Sequence, residues 1–232
     1  AEGWSPEQIS GFYGNSDYAV SHEWLYQRIL RDKQNGGTAY RHLRCQKQRK
    51  KRYGKPERRG QIVNRRSIAE RPAEVETRER IGDWEADTII GAKHQGAIVS
   101  LVERKSGYTR LIRVPNKEAA GVTQAIGRAL RPFKKQVLTI TFDNGKEFAG
   151  HEKIAKELKT DCYFADPYSS WQRGSNENLN GLVRQYFPKK TADFTKVTDA
   201  EIAEVERKLN NRPRKRLGWL TPAQVFSGKS LN

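Results

Sequence analysis

Three acidic residues lie where the predicted secondary structure would bring them together: Asp87, Asp143 and Glu177. Asp87 lies within the first predicted strand, Asp143 ends a strand predicted to be buried on both faces, and Glu177 lies on a later helix. Three carboxylates in one place repel one another, and a divalent cation would relieve that repulsion. Their oxygens suit Mg²⁺ or Mn²⁺, and two such ions can clamp both oxygens of an in-line phosphoryl displacement. The three residues therefore predict metal-dependent phosphoryl transfer.

Each of these acids also has a simpler interpretation, as a helix cap or a salt-bridge partner. That interpretation is favoured for five neighbouring acids, which are Asp83, Glu85, Glu103, Glu147 and Asp166. Taken alone, Asp87 would have the same interpretation. Only the predicted arrangement of its strand beside the strand of Asp143 favours a metal site.

The secondary structure that must position these residues follows from apolar runs and turn signals. Five β-rich runs are predicted to be strands: 84–90, 97–102, 108–114, 137–142 and 162–164. Helices are predicted after the third strand: one capped by Asn116, one at 146–158, one at about 172–186, and one that starts at the capping box of Thr198. This order predicts an α/β, ribonuclease-H-like fold, with a mixed five-stranded sheet flanked by helices and the first and fourth strands as neighbours. Residues 78–232 would form this domain, including a C-terminal helical extension.

The helix that carries Glu177 has an open face and an apolar face. The apolar face consists of Leu179, Leu182, Val183 and Tyr186. On the open face, Gly174 and Gly181 remove side chains and would let a nucleic-acid backbone approach closely. Glu177 and Arg184 lie on this open face, and Arg173 and Arg184 are expected to contact DNA.

The charge balance of the chain favours a polyanionic partner. Of 232 residues, 44 are Lys or Arg and 27 are Asp or Glu, which gives a formal net charge of +17. Nucleic acid is the first expectation. A basic membrane-surface protein would need a basic amphipathic helix with a rich apolar face, and the sequence has none. Cys45 and Cys162, far apart and in different contexts, are predicted to be reduced thiols.

Residues 1–40 are predicted to form a helix-turn-helix DNA-binding domain. A capping-box start at Ser5 opens a short helix, and Ser21 caps a second helix that ends at Asn35. Three outward side chains of the second helix are predicted to contact DNA: His22, Gln27 and Arg28. The alternative is an ordinary helical hairpin.

Residues 41–77 are predicted to form a basic, DNA-contacting linker. Between Arg41 and Arg66 the chain has twelve Lys or Arg residues and one acid, Glu57. So dense a charge is expected to become ordered only when phosphates neutralise it. The predicted DNA contacts are Arg49, Lys50, Lys51, Arg52, Arg58 and Arg59. The alternative is a solvated linker or a nuclear-localisation-like run.

Several motifs resemble those of known DNA-processing enzymes. Residues 84–88 resemble the WxxDxT motif of retroviral-integrase-like cores, although Thr88 directly follows Asp87. Residues 142–148 resemble their DNGxxF motif, and the 33 residues between Asp143 and Glu177 fit the DDE spacing. Longer segments are similar to bacterial insertion-sequence transposases of the IS-thirty family: 80–87, 163–167, 171–178, and 210–215 followed by 221–222. Unlike retroviral integrases, the chain has no His/Cys zinc module.

The resemblance implies that Asp87, Asp143 and Glu177 are a metal-binding catalytic triad, with Mg²⁺ as the cofactor and Mn²⁺ as a substitute. It also implies that the helix-turn-helix binds the terminal inverted repeats of an insertion sequence. The expected partners are double-stranded DNA, both element ends and target, and further copies of the chain in a homodimer or higher oligomer. We expect a bacterial, cytoplasmic, nucleoid-associated protein without membrane attachment.

Three functions are open at this point. The first is a DDE transposase that hydrolyses phosphodiester bonds and then transfers strands. The second is a DNA-binding regulator with a catalytically silent core, against which the intact acidic triad argues. The third is a nuclease that cleaves without joining, which only the resemblance separates from the first.

Overall fold

The computed structural model describes residues 6, 9–10, 19–43, 62–167, 169–218 and 220–228. The chain divides into two compact units, Ala1–Glu57 and Arg58–Asn232. None of the helices in these described ranges is long and apolar enough to cross a membrane.

The first unit contains helix α1 (His22–Gln34), which begins and ends as predicted. The Ser21 hydroxyl caps it by accepting a hydrogen bond from the Trp24 N–H at 3.1 Å, and Asn35 ends it. The side chains of the predicted DNA-reading residues His22, Gln27 and Arg28 are exposed.

Two other predictions for the N-terminal region lie largely outside the described residues. Of the predicted first helix only Pro6, Ile9 and Ser10 are described, and they are helical, so the helix-turn-helix stays a prediction. The predicted linker contacts with DNA all lie outside the described residues: Arg49, Lys50, Lys51, Arg52, Arg58 and Arg59.

In the second unit, five strands form one mixed sheet in the order β3-β2-β1-β4-β5. The strands are β1 (Asp83–Ile90), β2 (Ala97–Glu103), β3 (Thr109–Val114), β4 (Thr139–Phe142) and β5 (Asp161–Phe164). The first three pair antiparallel, whereas β4 pairs in parallel with both β1 and β5. The predicted α/β, ribonuclease-H-like class and the neighbouring positions of β1 and β4 are confirmed.

Helices cover both faces of this sheet. They are α2 (Glu74–Thr77), α3 (Ala119–Leu130), α4 (His151–Leu158), α5 (Gly174–Tyr186), α6 (Asp199–Asn210) and α7 (Pro222–Ser227). Trp84 and Ala86 of β1 belong to the apolar cluster beneath α3 and α4, and Ile89 belongs to the cluster beneath α5 and α6. Because side chains alternate along a strand, Asp87 faces the same side as Ile89, towards α5.

Two predicted helix boundaries are wrong. Helix α3 begins at Ala119 because the Asn116 side chain accepts a hydrogen bond from the Glu118 N–H at 3.1 Å and so forms a turn before the helix. The predicted helix at 146–158 is split into a 3₁₀ turn, Lys146–Phe148, and α4, which starts after Gly150.

The compact core also starts earlier than the predicted boundary at residue 78. Residues 62–77 belong to the second unit, where Ile62 and Val75 are buried. The Phe164 N–H of β5 donates to the Arg66 carbonyl at 2.9 Å, so this segment lies along the edge of the sheet. The buried apolar side chains and main-chain hydrogen bonds of residues 62–77 assign this segment to the core rather than to the basic linker.

Candidate active site

The parallel pairing of β1 with β4 brings Asp87 and Asp143 together. The register pairs Glu85 with Thr141, and its continuation by two residues sets Asp87 opposite Asp143, the residue after β4. Side chains two residues apart on a strand lie on the same face, so both carboxylates lie on the face of the sheet that α5 covers. Two of the three predicted acidic residues are therefore adjacent.

A guanidinium group lies between these carboxylates. Arg173 Nη1 is 3.6 Å from Asp87 Oδ2, and its Nη2 is 3.5 Å from Asp143 Oδ2. Nη1 also donates to the Ala86 carbonyl at 3.3 Å, and the Arg173 side chain is only 10% exposed. Arg173 turns its charge towards the aspartates, and the DNA contact predicted for it from the sequence stays a prediction.

The surroundings of Asp87 disfavour its negative charge. The Asn180 side chain donates to Asp87 Oδ2 at 2.9 Å, and the Thr88 N–H donates to Oδ1 at 2.8 Å. Burial raises the pKa of Asp87 above its ordinary value, and the Asp143 carboxylate raises it further, although Arg173 and the two hydrogen bonds oppose this rise. The charged form of Asp87 is therefore costly unless a positive group stays close.

A tight turn fixes Asp143. The Gly145 N–H donates to Asp143 Oδ1 at 2.8 Å. A Cβ at Gly145 would lie 2.5 Å from the Glu147 carboxylate and 2.8 Å from Asp143 Oδ1, so a larger residue there would displace these two carboxylates. Glu147 is nearly buried, accepts the Thr88 hydroxyl at 2.9 Å and lies 3.6 Å from Lys117 Nζ. Its predicted role as a salt-bridge partner fits these contacts.

Glu177 is exposed on α5, apart from the two aspartates. It follows Arg173 by four residues and precedes Asn180 by three, and both of those side chains contact Asp87. Residues at these spacings share one face of a helix, so Glu177 lies on the side of α5 that faces the aspartates. Even so, no three His, Cys, Asp or Glu side chains in the described part of the chain lie close enough to hold a metal ion.

The donor set nevertheless fits a divalent cation. Asp87 and Asp143 offer hard carboxylate oxygens that already share one positive partner, and Glu177 is a third carboxylate on the adjacent helix face. Arg173 occupies the space between the two aspartates. Metal binding would therefore require the guanidinium to withdraw and Glu177 to turn inward.

An ionic ladder of three buried residues and the exposed Glu76 holds the start of α5 in place. Glu85 is fully buried and accepts the Asn176 N–H of the first turn at 2.9 Å. Its other oxygen accepts from Arg104 at 2.7 Å, and Arg104 also donates to Glu76 at 3.0 Å. Arg71 pairs with Glu76 and donates to the Thr141 hydroxyl of β4.

Sequence reasoning missed three positions here: Asn180, Arg104 and Arg71. The sequence does place Glu85 near the site, because Glu85 and Asp87 lie on the same face of β1. Its basic partners come from distant segments, and no local spacing identifies them.

A cavity of about 480 Å³ is lined by Thr88, the residue after Asp87, and by Asn180, whose side chain donates a hydrogen bond to Asp87. Its basic lining residues are Lys93, His94, Arg184 and Lys189. Lys93 and His94 have φ angles of 52° and 64°, a left-handed backbone that costs free energy for residues other than glycine. Such strain often concentrates at functional sites, and Asn180 connects the lining of this cavity to Asp87.

Arg184 lines this cavity but has structural partners. Its guanidinium donates to the Ile90 carbonyl at 2.7 Å and to the Phe187 carbonyl at 3.4 Å. Burial lowers its pKa. These bonds connect the end of β1 to α5, whereas the DNA contact expected of Arg184 stays a prediction.

Comparison with known proteins adds sequence relatives and a shared fold. The chain matches the family model described as the integrase core domain over residues 78–170. It is 50% identical over 227 residues to the transposase for insertion sequence element IS4351 of Bacteroides fragilis, across 97% of this chain and 69% of that protein. It is 37% identical over 239 residues to transposase InsI for insertion sequence element IS30A of Escherichia coli K12, across 96% and 61%.

Among solved structures, the chain resembles a chain of the simian T-cell lymphotropic virus intasome, seen by cryoEM in complex with the PP2A regulatory subunit B56 gamma. The TM-score is 0.53 at 18% identity, over 63% of this chain and 54% of that one. This likeness shows a common fold.

Replacing Arg173 by Gln is expected to lower the free energy of unfolding by about 2 kcal/mol in EDTA, because Asp87 and Asp143 then face each other without a cation. Excess Mg²⁺ is expected to recover most of the loss, since a ligand that binds only the folded state stabilises it. Urea unfolding in EDTA and in Mg²⁺ measures both effects.

Arg131→Gln is the matched control, because Arg131 is 68% exposed and pairs with Glu157 away from the aspartates. It should change stability by no more than about 0.5 kcal/mol in either buffer. An equal loss for Arg173→Gln with and without Mg²⁺ would show that Arg173 does not stand in for a cation.

Proposed function

The chain belongs to the IS-thirty family of insertion-sequence transposases, and from this premise we propose that it cleaves DNA at the ends of its element and joins the new ends to target DNA. The adjacent Asp87 and Asp143 carboxylates that share a single cation, Arg173, carry the proposal. Phosphoryl transfer needs little covalent chemistry from the protein, so positioned charge can supply most of the catalysis.

In the proposed reaction, a water oxygen attacks a phosphorus atom at the element end, and the bond to the 3′-oxygen breaks to leave a 3′-hydroxyl. That hydroxyl then attacks a phosphodiester of the target, whose own 3′-oxygen leaves. Asp87, Asp143 and Glu177 would hold Mg²⁺, which when bound supplies charge stabilisation for the attacking and leaving oxygens. Asn180 orients Asp87 through its 2.9 Å hydrogen bond.

Basic residue types in the cavity beside Asn180 support the approach of DNA. Lys93, His94 and Lys189 line the cavity that also contains Thr88 and Asn180. A phosphate seated there would lie beside Asn180, the hydrogen-bond partner of Asp87, and the basic groups would offset its charge. Further copies of the chain in a homodimer or higher oligomer remain an expectation that sedimentation on DNA would test.

The variants Asp87→Asn, Asp143→Asn and Glu177→Gln are each expected to lose cleavage and joining by roughly a thousandfold or more, at about 1.4 kcal/mol for each factor of ten. Each removes a negative ligand and no positive charge, so DNA binding should stay near that of the unmodified chain. Incubation with labelled element ends, target DNA and Mg²⁺ gives different products for cleavage, joining and binding alone.

Asp199→Asn and Glu204→Gln are matched controls, because these acids pair with Arg113 and Arg207 on the surface. Both should remain active. A near-normal rate in a variant of Asp87, Asp143 or Glu177 would remove that residue from the site. Cleavage without joining by the unmodified chain would favour a nuclease, and binding alone would favour a regulator.

We also propose separate roles for the N-terminal segments. Replacing Lys50, Lys51 and Arg52 by Ala should weaken binding to all duplexes. The slope of log affinity against log salt concentration should also become shallower, by about 0.9 for each phosphate that the variant no longer neutralises. Replacing Gln27 by Ala should lower the preference for element ends with little change in that slope. Fluorescence anisotropy over a salt series measures both, and an unchanged slope in the triple variant would refute the assignment of the linker to DNA.

A further inference from the structure

A second groove, of about 350 Å³, lies along α5. Its lining includes Arg78, Arg214 and Arg216, together with Ser175 and Asn178 of α5. This arginine groove brings together the start of the core, its catalytic helix and the segment after α6. The sequence similarity in 210–215 assigned that last segment no function of its own.

The positions along α5 place the arginine groove on a different side of the helix from the aspartates. At about 100° per residue, Arg173, Glu177 and Asn180 cluster on one side, whereas Ser175 and Asn178 lie roughly 130–180° away. Gly181 lies between these two sides. Apart from the backbone of its own helix, none of the described residues has an atom within 4 Å of a Cβ built at Gly181, so the packing of the described residues does not require glycine there.

A glycine inside a helix costs about 1 kcal/mol relative to alanine. Gly181 therefore lowers the stability of α5, but it leaves the helix surface open between the active site and the arginine groove. A DNA backbone that leaves the aspartates could cross α5 at this point.

The arginine groove gathers positive charge without an acidic partner. Within the described ranges, no ion pair involves Arg78, Arg214 or Arg216. Arg214 donates to the Leu209 carbonyl at 3.3 Å and Arg216 to the Lys105 carbonyl at 2.7 Å, so main-chain oxygens hold both side chains in place.

Burial lowers the pKa of Arg214 and of Arg216, and neighbouring arginines lower both further. The Glu103 carboxylate partly opposes this for Arg216. Glu103 is buried, however, and already accepts hydrogen bonds from the N–H groups of Gly82 and Ser106. The arginine groove therefore keeps a net positive charge that favours an anion.

The lining favours a sugar-phosphate backbone over other anions. The residues that line the groove in the described structure include no aromatic ring on which a base could stack. The Ser175 hydroxyl oxygen is buried without a hydrogen-bond partner and could turn towards a phosphate. A second copy of this chain is a poor occupant, because each copy carries a formal charge of +17.

We propose that the arginine groove binds the phosphate backbone of the DNA that crosses α5 from the active site, with Arg78, Arg214 and Arg216 contacting phosphates. This inference rests on the proposed function, since the reaction supplies the DNA. The DNA can be the element end or the target.

The test compares the full chain with Arg214→Gln/Arg216→Gln. The matched control is Arg131→Gln/Arg207→Gln, which removes the same two charges from surface pairs with Glu157 and Glu204. Fluorescence anisotropy measures the affinity for element-end and unrelated duplexes over a salt series. For the groove variant, the plot of log affinity against log salt concentration should have a slope shallower by about 1–2, because each phosphate left without its arginine removes about 0.9. The control should keep the slope of the unmodified chain.

Two further variants separate a charge effect from misfolding. Arg214→Lys/Arg216→Lys keeps both charges and should retain most of the slope. Arg78→Gln removes an exposed side chain that donates no hydrogen bond to the described residues, so this variant should fold normally. Its slope of log affinity against log salt concentration should be shallower by about 0.9.

Cleavage and joining assays then identify the DNA. If the arginine groove holds target DNA, the groove variant should cleave element ends normally but need severalfold more target for joining. If it holds the element end, cleavage should fall as well. Slopes for the double variant and for Arg78→Gln that match the control would overturn the proposal. Failure of the unmodified chain to cleave or join would instead overturn the proposed function.

Discussion

The approach of two aspartates across neighbouring parallel strands is the constraint on which the rest of the second unit depends. The register of β1 against β4 sets Asp87 opposite Asp143, and burial makes the charge on Asp87 costly. A positive group must therefore stay between them. In the structure this group is Arg173, delivered by the turn that precedes α5.

The position of α5 matters for the same reason. This helix supplies Asn180 to Asp87, carries Glu177 on the same side and follows directly on Arg173. Beneath its first turn, Glu85 accepts the Asn176 N–H and is held in turn by Arg104. A buried ion pair adds little net stability compared with apolar packing, but breaking one is costly. The ladder from Arg71 to Glu85 thus fixes where α5 begins rather than making the fold much more stable.

The sequence predicted the elements that follow from periodicity and local turn chemistry. All five strands, the cap of α1 at Ser21 and the capping box at Thr198 depend on neighbours a few residues apart, and the structure confirms them. The adjacency of Asp87 and Asp143 followed from strand order alone.

The unpredicted features depend on contacts between distant segments. Arg173 reaches aspartates 86 and 30 residues before it (173 − 87 and 173 − 143), and Arg104 bridges two acids 28 and 19 residues before it. Nothing in the local pattern distinguishes such arginines from those that face solvent, which is why the contacts of Arg173 with the two aspartates were not predicted. The ordered segment before residue 78 was likewise hidden by the basic run that precedes it.

Anomalous diffraction at the manganese edge, from crystals of the chain grown with Mn²⁺, tests most directly whether Arg173 stands in for a metal ion. The predicted result is a manganese peak within bonding distance of the Asp87 and Asp143 carboxylates, with the Arg173 guanidinium withdrawn and Glu177 turned towards the ion. A map with no peak between these carboxylates, in which Arg173 still bridges them at a saturating Mn²⁺ concentration, would contradict the account.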